Sequence, residues 1–157
     1  MIKSYKISVP QNTLNKIYFK VKSYPWNIIQ NVNGWEYGTN FNYLKSISKY
    51  WASKYNWKKY EKKLNSFSNY ITKVNGLNIH FIKEKSNNPK SRPLLLLHGW
   101  PGSVIEFLDI IPKLAHPERF GGKVEDGFDV IVPSLPGFGF SAPIKKAMGP
   151  RKIGKVI

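Results

Sequence analysis

A run of five apolar residues at 93–97 ends abruptly in His98-Gly99-Trp100-Pro101-Gly102-Ser103, and this junction constrains the fold of the 157-residue chain more than any other feature. The run is too short for an independent helix and too uniformly apolar for a half-exposed strand, so it predicts a strand buried on both faces. A second run, 128–132, enters Pro133-Ser134-Leu135-Pro136-Gly137-Phe138-Gly139-Phe140-Ser141, and a helical segment near 103–114 lies between the two. Upstream, residues 66–82 take a period of two. Tyr70, Thr72 and Val74 alternate on one strand and Leu77, Ile79 and Phe81 on the next, while Asn75-Gly76 between them supplies the two positive-φ positions of a type I′ turn. An antiparallel hairpin followed by strand, helix and strand is the opening of an α/β sheet.

The first part of the chain reads differently. Residues 1–39 show little periodicity and contain Pro10, Pro25 and Gly34, which predicts an irregular arm with one short helix near 13–20. From Asn40 a helical pattern sets in: Leu44, Ile47, Trp51 and Tyr55 recur at three- and four-residue steps, with Lys45, Ser48, Lys49 and Ser53 between them. A second helix follows, with Trp57, Tyr60 and Leu64 on one face and Lys58, Lys59, Lys62 and Lys63 on the other. Apolar and aromatic residues at this spacing predict packing against a core rather than a stacking platform for bases.

Composition narrows the function classes. With no cysteine, disulfide scaffolds and cysteine-based metal or nucleophile sites are excluded, and a reducing, cytoplasmic setting is the natural expectation. No apolar run approaches the roughly 20 residues of a membrane helix, and residues 1–10 lack the apolar block of a signal peptide. The net charge of +16 raises nucleic acid or an anionic surface as partners. That charge is concentrated at 1–90, net +13, whereas 91–157 carries only +3, and it is built from twenty-two lysines and three arginines. Lysine is the poorer residue for bidentate phosphate or base-edge recognition, so the expectation is that nucleic acid is not the partner.

Two clusters carry chemical promise. The turn His98–Gly99–Trp100–Pro101 follows a strand and precedes a helix, so it exposes backbone N–H groups where an oxyanion can sit, with the Trp100 N–H as the candidate donor. The same residues also fit an ordinary βα turn with Ser103 as a helix cap. At 133–141, two glycines flanking Phe138 allow a sharp turn with the ring facing a pocket, and the lysine and helix start of a phosphate-cradling loop are missing. Asp109, Asp126 and Asp129 do not stand on a strand-to-helix elbow, and no G-x-S-x-G surrounds any serine. His98 is expected to order its loop rather than act as a base, His80 and His116 lack a local acid, and three histidines so scattered predict no metal site.

The 98–103 and 133–141 blocks resemble the oxyanion-hole motif and the following proline-glycine motif of the α/β-hydrolase epoxide hydrolases. Gly34-Trp35-Glu36-Tyr37-Gly38, Tyr43-Leu44, Tyr50-Trp51, Trp57, Glu61, Leu64-Asn65 and Gly76-Leu77-Asn78-Ile79-His80-Phe81-Ile82 resemble the N-terminal region of the microsomal and juvenile-hormone types. The resemblance runs from about Tyr5 to the end of the chain. It implies an α/β-hydrolase fold, an aspartate nucleophile that forms an ester with a small-molecule epoxide, a histidine-activated water, and no cofactor. It further implies oxyanion-loop roles for His98, Gly99, Trp100 and Pro101, and a substrate wall of Trp100, Pro101 and Phe138.

The family's aspartate elbow, cap tyrosines, acidic partner and base histidine find no match. Only sixteen residues follow Ser141, and a helix of about 11 residues with a strand of about 5 consumes them. The expectation is therefore a helical N-terminal region at 1–65 and the first strands and helices of the core at 66–157, an incomplete sheet cut before the elbow. Such a chain is expected to be inactive alone and to need a C-terminal complementing chain or to self-associate. The competing expectation is a non-catalytic basic module for nucleic acid or an anionic surface.

Overall fold

Asn75 and Gly76 take φ of +48° and +80°, the paired left-handed conformations that fold the chain tightly back on itself. Around them β2 (Asn69–Val74) and β3 (Leu77–Glu84) form the expected antiparallel hairpin, with Val74 opposite Leu77 and Asn69 opposite Ile82. The computed structural model describes residues 1–28, 34–141 and 143–157. The few residues of the expected irregular arm at 29–33 lie outside the described residues.

The hairpin nucleates a five-stranded mixed sheet in the order β1-β2-β3-β5-β4. β5 (Asp129–Pro133) runs antiparallel to β3 and parallel to β4 (Pro93–Leu95), while β1 (Lys3–Ser4) pairs antiparallel with β2 at the far edge. β3 and β5 are interior strands with neighbours on both sides, so Ile79, His80, Phe81 and Ile82 are all buried in succession and Val130 and Val132 are fully enclosed. Val104, Leu108, Ile111 and Ala115 complete this core from the crossover between β4 and β5. Burying each such aliphatic side chain is worth about 1.5–3 kcal/mol relative to leaving it in water.

The chain folds as two compact units, residues 8–61 and residues 1–7 with 62–157. In the second, the Asn65 amide pairs with both backbone groups of Ile7, accepting from its N–H at 2.9 Å and donating to its carbonyl at 2.8 Å, which holds the segment that carries β1. The helical unit contains α1 (Gln11–Lys22) and α2 (Phe41–Ser53), and α3 (Trp57–Leu64) begins in it. Asn40 starts α2 by accepting from the Tyr43 N–H at 3.0 Å. Buried Glu61 accepts from the Val9 N–H at 2.6 Å, Trp57 Nε1 at 3.1 Å and Lys58 Nζ at 2.7 Å. The Lys58 ammonium is the chief cause that its carboxyl lies below the usual range.

Four expectations need correction. The strand at 93–97 is not buried on both faces: β4 covers only 93–95 and is an edge strand bonded on one side to β5, leaving Leu95 46% and Leu97 51% exposed. The helix near 103–114 is broken into a 3₁₀ turn at Val104–Phe107 and α4 (Ile111–Ala115), because the Pro112 ring would meet the Leu108 carbonyl if one helix ran through. The apolar face of α2 is not a core face, since Leu44, Ile47 and Trp51 are each about two-fifths exposed. The arm at 1–39 carries its one expected helix as α1, two residues longer at each end than 13–20, but it is not otherwise irregular throughout: it also holds β1, a two-residue strand too short to leave a period in the sequence.

Candidate functional site: a turn and a loop at the carboxyl ends of two parallel strands

β4 and β5 are parallel neighbours, so the segments leaving their carboxyl ends, 98–103 and 134–141, emerge side by side. Loops at this end of a parallel pair are where α/β sheets place their ligands. The first is a tight turn: the Gly102 N–H donates to the Gly99 carbonyl at 2.8 Å across Trp100 and a cis Pro101, the arrangement of a type VI turn. A side chain at Gly102 would place its Cβ 2.8 Å from the Gly99 carbonyl oxygen, so glycine is what the turn admits there. Ser103 caps the next element, accepting from the Ile105 N–H at 3.3 Å while Glu106 accepts from the Ser103 N–H at 2.9 Å. The capping serine and an oxyanion donor are thus compatible: the cap engages residues 103–106, and among the described residues no hydrogen bond takes up the Trp100 N–H. The Trp100 side chain is 83% exposed.

His98 joins the turn to the loop. Its Nδ1–H donates to the Gly99 carbonyl at 3.0 Å and its Nε2 accepts from the Leu135 N–H at 3.1 Å, so both ring nitrogens are engaged in the neutral form. Phe138 sets its ring edge-on against the imidazole, centroids 5.5 Å apart. The backbone around it turns through Gly137 and Gly139, with φ of +85° and +51°. The structure therefore brings His98, Gly99, Trp100 and Pro101 together on one turn, with Phe138 beside it.

The carboxylates stand elsewhere. Asp109 lies in the turn after the 3₁₀ segment, paired with Lys63 at 2.7 Å, and this partner lowers its pKa. Asp126 ends a short 3₁₀ turn before Gly127. Asp129 opens β5 and accepts from the Ser86 N–H at 3.0 Å and the Ser91 hydroxyl at 2.8 Å, bonds that hold its carboxyl below the usual range. Among the described residues no group of three histidines, cysteines or acids is placed to hold a metal ion. One expectation fails here: His116 does have an acid, since its Nε2 lies 3.1 Å from Glu84 Oε1 with Glu118 on its other side at 3.7 Å. These partners are 32 residues back on β3 and two residues ahead, and only the fold brings the first of them near.

Sequence reasoning missed a buried polar network behind the loop. His80 is fully enclosed, with Nε2 3.0 Å from Asn69 Oδ1 and Nδ1 2.9 Å from Ser134 Oγ. Asn69 spends its amide protons on the carbonyls of Leu64 and Phe67, both at 2.8 Å, so its oxygen faces His80 and assigns the proton to Nε2. Ser141 accepts from the His80 N–H at 3.2 Å and donates to the Ser134 carbonyl at 2.6 Å. The signal was present in the two serines that bracket the proline-glycine block. Burial lowers the His80 pKa to about 4.

Comparison with known proteins decides the family. The model of the epoxide hydrolase N terminus matches residues 2–107, and that of the alpha/beta hydrolase fold matches residues 92–149. The chain belongs to the epoxide hydrolase family. It is 39% identical to epoxide hydrolase 1 of Oryctolagus cuniculus over 92% of this chain and 33% of the relative. It is 34% identical to juvenile hormone epoxide hydrolase 1 of Ctenocephalides felis over 99% of this chain and 34% of the relative. Juvenile hormone epoxide hydrolase from the silkworm Bombyx mori superposes with a TM-score of 0.84 at 33% identity, over 99% of this chain and 37% of that one. The chain thus spans about a third of the length of the curated relatives it matches. Its fold is the corresponding portion of an α/β-hydrolase fold preceded by a helical N-terminal region. Among the described residues no helix is long and apolar enough to cross a membrane.

Proposed function

We propose that this chain supplies the oxyanion-hole portion of an epoxide-hydrolysing site, while the nucleophile, the acid and the base come from sequence it does not contain. In this reading 1–65 is the N-terminal region and 66–157 the opening of the catalytic core. The observation that carries the proposal is the Gly99–Trp100–Pro101–Gly102 turn at the carboxyl end of β4, with the Trp100 N–H left over after the turn and the cap have taken their bonds. An aspartate carboxylate from the remainder attacks an epoxide carbon, the C–O bond breaks, and the ring oxygen takes a proton to leave a hydroxyalkyl ester. A water deprotonated by a histidine then adds to the ester carbonyl, and the Trp100 N–H stabilises the resulting oxyanion before it collapses to the diol and free carboxylate. Phe138 and the exposed faces of Trp100 and Pro101 form part of the substrate wall.

The test is reconstitution. Chain 1–157 alone is expected to give no turnover of styrene oxide above buffer, and activity is expected only when the C-terminal two-thirds of a relative is supplied as a separate chain. Replacing the Trp100 amide by an ester, which removes its N–H and keeps the side chain, is expected to lower the reconstituted rate by about 10²–10³. Turnover by 1–157 alone that disappears in Asp109→Ala, Asp126→Ala or Asp129→Ala would refute the proposal. The second reading, a basic binding module, draws its support from a groove of the helical unit lined by Lys22, Lys45 and Lys49 beside Val21, Trp26 and Ala52. The lysine face of α3, Lys58, Lys59, Lys62 and Lys63, supports it less, because Lys58 is bound to Glu61 and Lys63 to Asp109.

A further inference from the structure

The loop at 133–141 is gripped by two histidines, one on each side. On the buried side His80 holds Ser134 and Ser141 through its ring and backbone, and Phe140 packs edge-on against its imidazole with centroids 5.2 Å apart. On the other side His98 takes the Leu135 N–H and meets the Phe138 ring. Ser134 and Leu135 are consecutive, so the residue fixed by one histidine is covalently joined to the residue that fixes the other. The Ser134 N–H also donates to the His80 carbonyl at 2.9 Å, which leaves this pivot little freedom.

Each link has a defined direction. Asn69 makes the His80 Nε2 a donor, which leaves Nδ1 to accept the Ser134 hydroxyl proton. The Leu135 N–H makes the His98 Nε2 an acceptor, which leaves Nδ1–H to bond the Gly99 carbonyl. That carbonyl is also the acceptor that closes the turn around Trp100. A continuous set of bonds thus runs from Asn69 through His80, Ser134, Leu135 and His98 to the carbonyl of the Gly99–Trp100 peptide unit, which also carries the Trp100 N–H.

We propose that His80 is a positioning residue for the 98–102 turn, acting through Ser134 and Leu135 on the tautomer and orientation of His98. Among the described residues its side chain bonds to Asn69 and Ser134, and no hydrogen bond runs from it to the turn itself. Its role is to keep the Leu135 N–H aimed at His98 Nε2, so that the His98 Nδ1–H stays on Gly99 and the Trp100 N–H points outward. The inference rests on the oxyanion reading of that turn, but its readouts are spectroscopic, so failure of the relay and failure of the hydrolase reading are separately visible.

The test uses the full 1–157 chain and records the imidazole ¹⁵N spectrum and the amide exchange of Leu135. In the parent chain His98 is expected to carry its proton on Nδ1 and His80 on Nε2. Ser134→Ala removes one hydroxyl without adding volume and is the primary variant, since His80→Phe leaves Asn69 unpaired and risks misfolding. In Ser134→Ala the His98 signals are expected to move toward a mixture of tautomers, and Leu135 protection to fall about tenfold. Ile7→Val, buried but outside the relay, is expected to lower the melting temperature while leaving His98 unmoved. An unchanged His98 spectrum in Ser134→Ala, or an equal shift in Ile7→Val, would overturn the proposal.

Discussion

His80 shows how one enclosed side chain couples stability to acidity. Its pKa falls from 6.5 to about 4 because burial penalises the charged ring. The folded state therefore keeps it neutral while the unfolded chain binds a proton below about 6.5, so stability is complete above that pH and is lost as pH falls toward 4. The difference corresponds to roughly 3 kcal/mol. Unfolding free energies at pH 7 and pH 4.5 are expected to differ by most of that amount, and Ser134→Ala, which takes away the hydroxyl that donates to the neutral ring's Nδ1, is expected to lower the pH 7 value more than the pH 4.5 one. Glu61 and Asp129 act in the same direction but in a lower window: their depressed pKa values give stability that is present above the ordinary carboxylate range and lost as acid protonates them.

Elements were legible where their cause is local. Asn75-Gly76 dictates a turn through its own backbone preferences, and Gly76→Ala, forcing a Cβ into φ of +80°, is expected to cost about 1–2 kcal/mol, read as a lower melting temperature. The helices at 41–53 and 57–64 followed from spacing in the same way. Exposure did not. The leucines of β4 look like those of any interior strand, and what decides their surroundings is the position of β4 in the sheet order, which no window of sequence contains. The same holds for the histidines: His80 meets partners 11, 54 and 61 positions away, and His116 meets one 32 away. The motif at 98–102 was visible as a turn, but the engagement of both His98 nitrogens required the neighbouring strand to bring Leu135 alongside.

For the whole molecule, the charge of +16 predicts weak attraction to any polyanion, driven by counterion release. Binding to duplex DNA is expected to be measurable at low salt, to vanish near 150 mM, where the screening length is about 8 Å, and to show no sequence preference. Tight binding at that salt, lost when Lys59 and Lys62 are changed to glutamine, would favour the basic-module reading instead. The two edges of the sheet differ in a way that bears on self-association. β1 is two residues long and carries Lys3, features that discourage further pairing, whereas β4 offers unpaired backbone beside half-exposed Leu95. Among the described strands one edge is receptive and the other blunted, so when two copies meet through β4 each consumes the receptive edge of the other, and the product is a closed two-fold pair rather than a filament. Light scattering on chain 1–157 is expected to show a dimer, and Leu95→Lys to shift it toward monomer; a ladder of larger species would mean that the β1 edge is receptive after all.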